Sequence, residues 1–135
     1  MDTLTHALSG ALLARATAPS QPRSNALTLR ARVTTGLLTA AFPDCDFALR
    51  SIDTLTYLNW HQGVTHSVIM LPVWALMLAY LFSWLTRRRY SWQAFFGAAF
   101  LGIAIHIAGD VFTAYGTMLL APLSSQRFLL PFAFV

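Results

Sequence analysis

The sequence predicts an all-α protein, an integral membrane helical bundle of about four helices with a metal site at one end. Three observations carry that prediction. Apolar residues make up 56% of the chain and charged residues only 10%, too greasy a balance for an ordinary soluble core. Four apolar segments follow one another, two of them long. All four histidines (His6, His61, His66, His106) and three of the five acids (Asp44, Asp46, Asp110) stand at or near the ends of those segments. The 135 residues are expected to form one domain.

The elements follow in order. Thr3 to about Ala16 is small and apolar, with Ser9-Gly10 permitting close approach of another helix, and His6 falls in its first turns. Thr17 to Arg32 carries two prolines and several arginines and reads as a polar connection, with helix beginning from about Ala26 onward. Val33 to Phe42 is the second apolar segment. Pro43 ends it, because proline disfavours helical geometry in the residue before it, and Asp44 and Asp46 follow. Phe47 to Trp60 reads as an interfacial loop or short helix, whose Tyr57 and Trp60 suit a membrane–water boundary. Val68 to Thr86 is an uncharged run of nineteen residues, about 28 Å at the helical rise and enough for one crossing. The triplet Arg87-Arg88-Arg89 closes it. Trp92 to Ile105 is the fourth segment and flows into His106-Ile-Ala-Gly-Asp110. From Val111 the chain is turn-rich, with Tyr115-Gly116, Pro122 and Pro131, before a last apolar stretch.

If the four segments alternate in direction, His6, Asp44 with Asp46, His61 with His66, and His106 with Asp110 reach the same side. The two arginine groups, Arg15 to Arg32 and Arg87 to Arg89, then lie on the other. The positive-inside bias puts the arginines in the cytoplasm and the site toward the external or periplasmic leaflet. No reading helix or aromatic-and-basic surface accompanies the arginines, so no nucleic-acid partner is expected. Membrane lipids are.

His106 and Asp110 are four apart and share a helix face, where they can bind a common ion. Gly63 supplies a bend that can turn His61 and His66 inward. Asp44 and Asp46, alternating around Cys45, could place one carboxylate on an ion while the other orients a histidine. Each has a plainer alternative: a hydrogen-bonded buried histidine, an interfacial histidine, an Asx turn after a helix. Taken together, ionisable groups at membrane depth mark functional sites. Four histidines and three aspartates exceed the needs of one tetrahedral ion, which leaves open two ions or one ion with supporting acids. Imidazole with carboxylate suits zinc, manganese or iron. The chain contains no Glu, so it has no His-Glu-x-x-His helix, and water activation falls to the metal and to Asp44 or Asp46. A single cysteine excludes an intramolecular disulfide. No serine has a nucleophile elbow. The Pro-Ser-Gly-His stretch and the lysine of type-2 phosphatidic-acid phosphatases are missing.

Four blocks, Asp2-Thr-Leu-Thr-His6 with Gly10, Phe42-Pro-Asp44-Cys-Asp46, His61-Gln-Gly-Val-Thr-His66-Ser67, and His106-Ile-Ala-Gly-Asp110 with Thr113-Ala-Tyr-Gly116, cover most of the chain. In this the sequence resembles the YdjM-like family of bacterial inner-membrane proteins, which are regarded as metal-dependent hydrolases. The resemblance implies a membrane-embedded metal hydrolase, distantly related to zinc-dependent phospholipases C and single-strand nucleases. It implies metal-site positions at His6, Asp44, Asp46, His66, His106 and Asp110, with His61 a further candidate. Many relatives continue with further apolar segments, so the chain is expected to be a fragment or a short member.

The expected function is hydrolysis of an ester, a phosphoester by preference, with a lipid-linked one among the options, by water activated on one or two divalent ions, zinc first. Arg50 and Arg127 are candidates to hold an anionic group, with a plainer role at lipid headgroups. Two rivals stand beside it: a non-catalytic metal-binding or metal-transporting membrane protein, and a structural membrane protein with incidental histidines.

Overall fold

The computed structural model describes residues 2–20, 25–45, 63–112 and 116–128. Among these, four α-helices form: α1 (Thr3–Ala16), α2 (Leu29–Ala41), α3 (Leu71–Leu85) and α4 (Trp92–Val111). There is no strand, only an isolated antiparallel bridge between Thr117 and Phe128. The expected interfacial segment from Phe47 to Trp60, with Arg50 and Asp53, lies outside the described residues, as do Asp46 and His61.

Each helix starts and stops for a local reason. Asp2 caps α1, its carboxylate accepting from Thr5 N at 2.9 Å and Thr5 Oγ1 at 2.6 Å, and those bonds hold its pKa below the usual range. Thr28 caps α2 by accepting from Ala31 N at 3.3 Å, so the helix takes in Arg30 and Arg32, upstream of the apolar start at Val33. The predicted start of the third segment at Val68 is corrected to Leu71, with Pro72 in the first turn. Residues 67–70 are held elsewhere. Val68 N donates to Leu119 O at 3.0 Å, and the Ser67 hydroxyl donates to Leu119 O and Ala121 O while accepting from Ile69 N. At its other end α3 stops because Arg87 and Arg88 adopt φ of 50° and 58°, the left-handed region. Fifteen residues reach about 22 Å. Among the described helices only α4, with 20 residues, is long and apolar enough to cross a membrane.

α4 is the centre of the bundle, packing against each of the other three, while α1 also packs against α2. Its contact with α3 is apolar: Leu71, Ala75 and Leu78 against Ala99, Ile103 and Ile107. The contacts of α2 with α1 and with α4 are built from small residues. A Cβ added at Gly10 would strike Gly36 O and Ala40 Cβ, one at Gly36 would lie 2.5 Å from Gly10 O, and one at Gly102 would strike Thr39 Oγ1. Backbone thus meets backbone, the close approach that small residues four apart allow. The outer faces are apolar as well, with Leu4, Leu8 and Leu12 of α1 and Val73, Met77, Leu81 and Trp84 of α3 all exposed. Contiguous exposed apolar surface of that kind suits lipid.

Arg32 ties α2 to the end of α1, donating from Nε to Ala14 O at 2.9 Å and from its terminal nitrogen to Thr17 O and Thr17 Oγ1 at 3.2 and 3.0 Å. These carbonyls belong to the last turn of α1, which has no intrahelical donors for them. Arg32→Met keeps the apolar stem and removes the donors. It is expected to cost about 1–2 kcal/mol, read as a lower thermal midpoint in detergent. An unchanged midpoint would show that water serves those carbonyls equally well.

Candidate metal centre

The three small-residue contacts also place the polar groups. On α1, His6 lies one turn before Gly10 and Ala14, and on α4, Gly102, His106 and Asp110 are spaced by four. Residues four apart share a face, so the stripe that lets the helices touch continues at one end as imidazole and carboxylate. On α2, Gly36 and Ala40 carry the contact, and the turn after the helix brings Asp44 to the same end. His66 arrives on a 3-10 turn, Val64–His66, entered through buried Gly63 and braced by Trp74 Nε1, which donates to Val64 O at 3.1 Å.

His66 Nε2 and His106 Nε2 are 3.0 Å apart, and Asp110 Oδ2 lies 3.3 and 3.4 Å from them. Asp44 Oδ1 stands 3.9 Å from His66 Nε2 and 3.6 Å from His106 Nε2. The four donor atoms all lie within 4.8 Å of one another. His66, His106 and Asp110 are buried; Asp44 keeps 15% of its side chain exposed. A tetrahedral ion with bonds of about 2.0–2.1 Å holds its donors about 3.3 Å apart. The group of Asp44, His66, His106 and Asp110 could therefore hold a metal ion with little adjustment.

The groups behind the donors fit the same purpose. His106 Nδ1 faces the carbonyl of Ala40. A carbonyl only accepts, so Nδ1 carries the proton, and a neutral ring turns its Nε2 lone pair into the cluster. His66 Nδ1 is 2.9 Å from Thr65 Oγ1, which orients that ring. Two neutral imidazoles and two carboxylates balance a divalent cation. That balance matters at a buried site, where unpaired charge is costly.

The structure thus brings together four of the seven predicted site residues directly. His6 joins them through Asp110: its Nε2 is 2.9 Å from Asp110 Oδ1, and its ring stacks on His106 at 3.7 Å. It stands behind the carboxylate rather than among the four donors. Asp46 and His61 lie outside the described residues. Arg127 donates to Gly116 O at 3.0 Å. Reasoning from sequence missed the carbonyl of Ala40 and the glycines 36 and 102. The four-residue spacing of Gly36 with Ala40, beside that of Gly10 with Ala14, was the available signal.

The chain is 29% identical over 130 residues to Uncharacterized protein YfhP of Bacillus subtilis (strain 168), an alignment that covers 93% of this chain and 38% of that protein. It therefore spans well under half the length of that relative. No solved structure matches. The model of the YdjM inner membrane protein family matches residues 1–135, and the chain belongs to that family.

Proposed function

We propose that this chain is the metal-dependent hydrolase unit of an inner-membrane protein, in which Asp44, His66, His106 and Asp110 hold a divalent ion, zinc in the first place, for attack of water on a phosphoester or other ester. The observation that carries the reading is the spacing of 3.0, 3.3 and 3.4 Å among His66 Nε2, His106 Nε2 and Asp110 Oδ2, with Asp44 Oδ1 above that triangle. A bound ion would supply Lewis acidity, easing loss of a proton from water and polarising the ester oxygen.

The residues of the chain divide the remaining work. His6 holds Asp110 through the oxygen that does not face the other donors. Ala40 O and Thr65 aim the two imidazoles. Asp44 is the one half-buried donor, and its Oδ2, itself buried, has no hydrogen-bond partner among the described residues. That oxygen is suited to accept the proton of a water, as general base. Asp46 and His61, which follow or precede these residues closely in sequence, are proposed as further members, and a second ion belongs to the same proposal. The segregation of charge supports a site facing away from the cytoplasm: six of the seven described arginines lie at the opposite end. A lipid-linked substrate would enter from the apolar surface around α1 and α3.

One observation favours a second reading. Four protein donors of which three are buried resemble closed structural sites, whereas catalytic sites keep one position open. In that reading the ion only clamps the helix ends. The two separate on Asp44→Asn. For a hydrolase, the variant is expected to retain metal at a reduced affinity and to lose about 10²–10⁴-fold in turnover on an ester panel. A structural clamp predicts metal-loaded protein with no hydrolysis of phosphoester, carboxylester or amide in the parent chain, which would remove the hydrolase.

A further inference from the structure

The end of the bundle away from the metal centre carries its own arrangement, and none of the chemistry above uses it. The turn from Thr86 to Ser91 joins α3 to α4. Three clefts meet at Ser91, which lines each of them: one of about 500 Å³ between the ends of α3 and α4 with Arg88, Trp84 and Trp92, one of about 540 Å³ with Arg89, and one of about 700 Å³ with Arg32. Each cleft holds one arginine. The described carboxylates are Asp2, Asp44 and Asp110, and all three belong to the opposite end, so among the described residues no acid answers this charge.

The three arginines are not equivalent. Arg32 is committed to the carbonyls of α1. Arg88 and Arg89 are exposed, and Arg89 lies over the ring of Tyr90 at 5.7 Å. The Ser91 hydroxyl makes no capping bond to α4. Next to these donors the surface turns apolar: Tyr80 stacks on Trp92 at 5.1 Å, and Trp84 is 69% exposed. A guanidinium pair and a hydroxyl beside an aromatic wall match a ligand with a phosphodiester anion at one end and acyl chains at the other. Basic pockets between helices at the cytoplasmic face bind anionic headgroups, and the inner leaflet offers them.

We propose that the two adjoining clefts that share Tyr90 and Ser91, one holding Arg88 and the other Arg89, form a binding site for the phosphodiester headgroup of an anionic glycerophospholipid, whose chains lie along Tyr80, Trp84 and Trp92. The site fixes the depth of the α3–α4 hairpin, whose fifteen-residue α3 is short for a full crossing. It is independent of the metal reading.

The test takes the full chain in nanodiscs of equal parts phosphatidylglycerol and phosphatidylcholine, and native mass spectrometry counts the lipids retained on release. Phosphatidylglycerol is expected to stay preferentially. Arg88→Gln with Arg89→Gln should lower that retention about tenfold, while Arg30→Gln, exposed on the same end but outside the clefts, leaves it unchanged. Helicity and monodisperse elution check folding, and Arg88→Gln alone serves if the double variant fails. Equal retention of phosphatidylcholine would overturn the proposal, as would an Arg30→Gln loss as large as that of the double variant, which would mean diffuse attraction. Displacement of the lipid by millimolar inorganic phosphate would assign the site to free phosphate instead.

Discussion

Asp110→Asn is expected to abolish stoichiometric binding of a divalent ion while leaving the helices formed. The two oxygens of Asp110 serve different partners: Oδ2 faces His66 and His106 Nε2, and Oδ1 is 2.9 Å from His6 Nε2. An amide of the same shape must turn its NH2 toward one of them. Facing the ion, it replaces a lone pair with a donor; facing His6, it sets donor against donor. Either way the negative charge that balances the cation is gone. The loss should exceed the roughly 10–100-fold in affinity that follows removal of an outer-shell partner, which is itself the effect expected for His6→Ala. Elemental analysis and zinc titration of purified protein provide the readout. Metal retained at parent stoichiometry in Asp110→Asn would sink the assignment of this residue, and a metal-free parent that takes up no divalent ion would sink the site.

Gly36→Val should have the largest effect on stability. Gly36 lies against Gly10 O, and an added Cβ would stand 2.5 Å from that oxygen and 2.6 Å from Ala14 Cβ. These are backbone and a side chain without rotamers, so neither can move aside alone. The helices must separate, at a cost at or beyond the upper end of the usual range of about 1–3 kcal/mol for overpacking. A fall in Tm on the order of 10 °C is expected. Separation would also carry Ala40 O away from His106 Nδ1, so weaker metal binding should accompany the lower Tm. Gly97→Ala on α4 is the control. A Cβ there meets nothing within 4 Å, and alanine favours the helix by up to about 1 kcal/mol. Equal behaviour of the two variants would mean that α1 and α2 do not touch through Gly10 and Gly36.

Much of the arrangement was legible in the chain because apolar helices announce themselves by composition and punctuation. Thr3 to Ala16 was read with the bounds the helix has. His106 and Asp110 share a face because their spacing is one helical turn, and the alternation of four segments was enough to place His6, Asp44, His66, His106 and Asp110 at one end. Where the reading went astray, a distant partner decided. Apolar periodicity runs unbroken from Val68, yet Ser67 and Val68 bond to Leu119 and Ala121, and a contact across more than fifty residues leaves no trace in local hydropathy.

The sequence by itself determined the helical class, the opposition of arginine and acid ends among the described residues, and the meeting of His6, Asp44, His66, His106 and Asp110 at one end. Those follow from residue type and spacing, properties local to the chain. Only the tertiary structure decided which atoms face one another: that His106 spends its Nδ1 on the carbonyl of Ala40, that His6 stands behind Asp110 rather than beside it, and that Gly10 finds its partner in Gly36 of α2. These depend on distances of about 3 Å between helices far apart in the chain, and such distances are fixed only when the whole bundle has packed.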